Sequence, residues 1–153
     1  MRVRHRRYGG TPKTVLAGYI AERADEWVEA WLRDIQEEST TRHYRGYPDK
    51  EELKRDTATL YHYLALWLST GEWDPRIDPH YERIGRDRRA AGFPLSEVIS
   101  AILLAKRHLW NGIMAGPILS VALEMEASKA ISLFYDKAIY HTIVGYEREG
   151  GES

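Results

Sequence analysis

Apolar residues in this chain recur at three- and four-residue steps, in five runs separated by proline and glycine. That spacing places them on one face of a helix and fits no strand. Val15, Leu16, Tyr19, Ile20, Trp27, Val28, Trp31, Leu32 and Ile35 form the first stripe and predict a helix over 12–38. Thr11 offers a cap oxygen and Pro12 suits the first helical position. Glu22, Arg23, Asp25, Glu26, Glu29 and Arg33 take the opposite face, and 39–47 reads as a polar loop. After Pro48, Asp49 and Glu52 have capping-box spacing. Leu53, Leu60, Tyr61, Leu64, Trp67 and Leu68 make a second stripe that ends near Gly71. Asp78–Pro79 opens a shorter third helix carrying Tyr81 and Ile84, which stops at Gly92. Pro94 starts a fourth, whose apolar face is wide enough for burial on more than one side. Gly116–Pro117 breaks it, and a last helix over 117–148 carries Ile118, Val121, Met125, Ile131, Phe134, Tyr135, Ile139, Ile143 and Tyr146. With no period of two anywhere, the fold class is all-α, with about five main helices.

At 153 residues the chain has room for one domain. The predicted organisation is a flexible basic arm at 1–10, a helical domain at 11–149 and a tail at 150–153. The arm carries Arg2, Arg4, Arg6 and Arg7 and reads as solvated. The absence of cysteine excludes disulfide staples, thiolate zinc sites and a cysteine nucleophile. A formal net charge of −1 creates no global field toward nucleic acid or anionic lipid. The longest aliphatic stretch, 98–105, is far short of the ~20 residues a bilayer needs, and no signal-peptide core follows the arginines. The expected location is the cytoplasm, with no membrane partner.

Catalytic motifs are missing. Neither a phosphate loop nor a GxSxG turn occurs, and none of the six histidines stands three residues after a glutamate or four from another histidine. No catalytic residue, metal ligand or cofactor is assigned. Acid–base groups assembled across helices leave no local motif, so a small acid–base enzyme stays open as an alternative. The five tryptophans and ten tyrosines bring polar atoms into the core, and a core of that kind can leave a partly polar pocket. His62, Tyr63, His108 and Tyr135 are the candidate pocket residues. His62 or His108 would be the axial ligand if the protein were instead a haem- or small-ligand-binding globin. His5, His43 and His80 are expected to be solvated. Arg83, Arg86, Arg88 and Arg89 are expected to form a solvated helix face with i, i+4 ion pairs rather than a nucleic-acid surface.

Two stretches carry a likeness. One is 81–110, YERIGRDRRAAGFPLSEVISAILLAKRHLW, with its arginine-rich helix ending at Gly92, its GFPLSEV run and its KRHLW end. The other is FYDKAIYHTIVGYE, 134–147. Together they resemble the N-terminal sensor domain of RsbR-type proteins, the RsbT co-antagonists of bacterial stressosomes. The resemblance implies a globin-like helical fold without haem, acting as a non-enzymatic sensor that dimerises through its last helices and signals to a STAS domain. Only six residues follow Glu147 here. The expectation is therefore a sensor whose output partner, a STAS-type protein or a kinase, is a separate chain.

Surplus apolar surface on the fourth and fifth helices points to a dimer independently, because pairing removes it from water. A four-helix contact between two copies is expected, with Trp110, Met114, Phe134, Ile139 and Ile143 as the candidate interface.

Overall fold

The computed structural model describes residues 11–116 and 121–151. The basic arm, Pro117, Ile118 and the last two residues lie outside them. Five helices follow in order: α1 (Pro12–Glu37), α2 (Lys50–Thr70), α3 (Ile77–Ala90), α4 (Leu95–Ala115) and α5 (Val121–Gly151). No strand occurs among the described residues. α3 packs most extensively on α5, and α1 on α2 and then α4. The result is an all-α, globin-like helical bundle.

The caps explain most boundaries. Thr11 Oγ1 accepts from the Thr14 N–H at 3.1 Å, and Pro12 stands in the first turn, where its missing N–H costs nothing. Asp49 Oδ1 accepts from the Glu52 N–H at 3.0 Å. The Glu52 carboxylate turns to the Tyr47 hydroxyl, so its part of the capping box is not made. α3 ends in a Schellman motif, with Phe93 N–H donating to the Arg88 carbonyl and Gly92 N–H to that of Arg89, both at 3.0 Å. This turn needs a left-handed residue, and Gly92 supplies it at φ 85°. The turn also drives Phe93 inward, where it is 4% exposed.

Three expectations need correction. The segment 39–47 is a 3₁₀ helix over Ser39–Gly46, kinked at Thr41. Two of its residues, Thr41 and Tyr44, are buried, because Thr41 Oγ1 reaches the Ile35 carbonyl and Tyr44 packs edge-on to Phe93 at 4.6 Å. Asp78 does not cap α3, which begins one residue earlier. Its carboxylate instead accepts from the Trp73 indole N–H at 2.9 Å. The arginine face is not wholly solvated either. Arg83 makes the i, i+4 pair with Asp87 at 3.0 Å, but Arg88 is 3% exposed.

Three polar aromatics of the core bond to the backbone of α4. Trp31 Nε1 donates to the Ala101 carbonyl at 2.8 Å, Tyr61 OH to Ala105 at 2.8 Å, and Tyr19 OH to Gly112 at 3.2 Å. An unpaired buried donor costs about 1–3 kcal/mol, so this row of second bonds to helical carbonyls fixes α1 and α2 on α4 as well as satisfying the rings.

Candidate functional site

Arg88 is the centre of the most polar region of the core. It follows Tyr81 and Ile84 on the inner stripe of α3, so its register alone directs it inward. On α2, Asp56 and Thr57 fall between Leu53 and Leu60 on the buried face. The guanidinium lies over the rings of Tyr47 (5.0 Å), Tyr44 (5.7 Å) and Phe93 (5.9 Å). Its nitrogens stand 3.7 Å from Glu52 and 3.6 Å from Asp56 Oδ2. These separations attract charge but are too long for hydrogen bonds. Asp56 spends its other oxygen on Arg83 at 2.8 Å.

Burial works against the charge on Arg88, but Tyr44, Tyr47 and Asp56 more than offset it, and the pKa sits above the ordinary arginine value. Burial raises Tyr44 and Tyr81, and it pushes Tyr47 up to about 12 with help from Glu52. The phenols are therefore neutral, and Arg88 keeps its charge. A cavity of about 40 Å³ opens beside them, walled by Trp31, Tyr44, Asp56, Tyr81, Arg88 and apolar residues of α2 and α4. Three of its polar atoms, Asp56 Oδ2, Arg88 Nε and the Tyr81 hydroxyl, have no hydrogen-bond partner. The space suits two or three waters. A cofactor-sized ligand needs roughly 300 Å³ or more. No histidine lines the cavity, so these residues do not fit haem.

A second feature lies on the outside. Leu103, Trp110 and Met114 share one face of α4, and Met125, Leu133 and Tyr140 share one face of α5. All but Trp110 are among the exposed large hydrophobic residues, with Met125 at 71% and Tyr140 at 62%. An open groove runs between Trp110 and the start of α5, lined also by Met125, Lys129 and Ser132.

The sequence-derived candidates are scattered over this frame. His62 is exposed on α2. Tyr63 is buried edge-on to His80 at 5.8 Å. His108 Nε2 meets Asp34 Oδ2 at 2.6 Å and ties α4 to α1. Tyr135 is fully buried with its hydroxyl unpartnered. None of these four lines the cavity. Of the interface candidates, Trp110 borders the groove and Met114 is 49% exposed. Ile139 and Ile143 are half-buried, and Phe134 lies in the chain's own core against Trp73 and Trp67. Asp56 and Tyr44 are not singled out by the sequence reading, which takes Tyr81 as a stripe residue and Arg88 as part of a solvated face. The available signal was a charged residue at a core position of each stripe, 53–56–60 and 81–84–88.

Two of the histidines expected to be solvated have partners. His43 pairs with Glu97 at 2.9 Å, and His80 meets the rings of Tyr63 and Tyr81 edge-on.

A family model described as the RsbT co-antagonist protein rsbRD N-terminal domain matches residues 15–153. Among solved structures, the chain is similar to the sporulation inhibitor pXO2-61 from Bacillus anthracis. The TM-score is 0.74 at 21% identity, over 88% of this chain and 97% of that one. No curated protein matches the chain in sequence. No helix among the described residues is long and apolar enough to cross a membrane.

Proposed function

This chain belongs to the family of the RsbT co-antagonist protein rsbRD N-terminal domain, and from that premise we propose that it is a non-enzymatic sensor domain. In this reading it signals through a helical homodimer to an output protein on a separate chain, of STAS or kinase type, in the cytoplasm. Binding of a signal or partner to one dimer arrangement shifts the balance between arrangements by its difference in affinity.

The observation that carries the reading is the exposed stripe on α4 and α5. Leu103, Met114, Met125, Leu133 and Tyr140 would form an aggregation-prone patch on a monomer, and a second copy presenting the same stripe covers it. The candidate interface is drawn from these positions with Trp110, Ile139 and Ile143.

Light scattering at micromolar concentration tests it. The expected species has twice the 17.7 kDa chain mass. Leu133→Glu and Met125→Glu should each give a monomer with an unchanged far-ultraviolet circular dichroism spectrum. A wild-type protein found only at 17.7 kDa sinks the homodimer.

A further inference from the structure

We propose that His80 is an acid-sensitive latch holding α2 against α3. The ring belongs to the first turn of α3 and points at α2. The Asp56 backbone lies beside the ring, and Nε2 is buried with no partner. Tyr63 of α2 meets the ring edge-on at 5.8 Å, and its neighbour Tyr81 does so at 5.0 Å. The neutral imidazole suits this setting better than the cation, because it carries a single N–H and can leave the unpartnered Nε2 without a proton. An added proton makes Nε2 a second donor with no acceptor in reach, and it buries a cation.

The charges around the ring do not rescue that cation. From α2 it faces the Asp56 region and Tyr63, and from α3 it faces Arg83. Arg76 lies over Tyr63 at 5.9 Å. The Asp56 carboxylate is already shared between Arg83 and Arg88. From α5, His141 pairs with Asp78 and Glu82 on the opposite flank of α3. Burial accordingly lowers the ring's pKa below the ordinary 6.5, with Asp56 acting in the other direction and Arg83 adding to the lowering.

The direction of the pH effect follows. A histidine whose folded-state pKa is depressed leaves the fold fully stable above the unfolded value of 6.5. Stability is then lost as pH falls through and below 6.5, because the unfolded chain binds the proton first. The loss falls on the α2–α3 contact, which also walls the Arg88 cavity. Acidification is thus expected to loosen that wall before the rest of the bundle.

The test is hydrogen exchange by NMR on the whole chain between pH 7.5 and 5, corrected for the intrinsic pH dependence of exchange. In the wild type, amides of α3 should lose protection several-fold relative to those of α1 as pH falls below 6.5, ahead of protonation of the folded His80 ring. In His80→Phe, which keeps the aromatic contact and removes the proton, the pH-dependent loss should vanish. Parallel profiles in wild type and variant overturn the latch. If His80→Phe does not fold, the wild type decides alone. No change in α3 protection relative to α1 below pH 6.5 overturns the proposal, and a loss that begins near 6.5 ahead of the folded ring's own titration supports it.

Discussion

Gly85 of α3 and Gly145 of α5 are seated reciprocally on each other's helices. A Cβ on Gly85 would stand 2.0 Å from the Thr142 carbonyl oxygen, and one on Gly145 would stand 2.0 Å from that of Glu82. The obstructing atoms are backbone, which cannot step aside as a flexible side chain would. Close contact of this kind accounts for the extent of the α3–α5 interface. Gly85→Ala and Gly145→Ala must each force the helices apart. Overpacking a well-packed core costs about 1–3 kcal/mol, and this case belongs at or above the upper end. Urea midpoints should fall in both variants, while alanine at the solvent-facing Gly46, which has no atom within 4 Å of its Cβ, should be near neutral.

Arg88 supports a different prediction. Its removal leaves Glu52 and Asp56 facing a cavity without their cation. Breaking a fully buried pair costs about 3–5 kcal/mol. Here Asp56 retains Arg83 and the distances are long, so about 2–3 kcal/mol is expected for Arg88→Ala. Arg88→Met, which fills the same volume against Tyr44, Tyr47 and Phe93, should recover part of the loss. Denaturant unfolding of the two variants beside wild type measures both effects.

The helices were legible in sequence because their stripes and caps are local. Thr11–Pro12, Asp49 and Gly92 set boundaries through bonds made within one turn. The polar centre of the core was less legible, since it depends on which charged residues share a stripe with the apolar ones. Arg88 sits in the run Tyr81–Ile84–Arg88, yet its neighbours Arg86 and Arg89 are exposed and hide it in a charged run. The kinked 3₁₀ segment was read as loop because Tyr44 finds its partner, Phe93, 49 positions away along the chain. His108 showed its helix in sequence, whereas its partner Asp34 lies on α1 and shares no local pattern with it.

Glu97 sets the acid limb of stability at the start of α4. Its side chain is 10% exposed, and its carboxylate accepts the His43 backbone N–H at 2.8 Å and faces His43 Nδ1 at 2.9 Å. Burial raises its pKa, but the bonds from His43 outweigh that and hold it below the ordinary 4.5. A depressed carboxylate adds stability that is present above 4.5 and lost as pH falls through the folded value. Glu97→Gln should cost about 1.5–3 kcal/mol at pH 7, the range for hydrogen bonds to a charged group. The two stability curves should converge below pH 4, which thermal unfolding across pH 3–7 measures.

His108 and His62 separate a structural histidine from an indifferent one. His108 Nε2 lies 2.6 Å from Asp34 Oδ2 and bridges α4 to α1, with both side chains partly shielded. A hydrogen bond of this kind contributes about 0.5–1.5 kcal/mol. The same ring also fills space between two helices, so His108→Ala should lose about 1–2 kcal/mol in all. His62 is exposed on α2, where it makes a tilted ring contact with Tyr63 at 6.1 Å and a weak charge interaction with Asp74. His62→Ala should change stability by no more than about 0.5 kcal/mol. A double-mutant cycle of His108→Ala with Asp34→Ala isolates the bridge itself. A coupling near zero there would assign the whole loss to packing rather than to the bond.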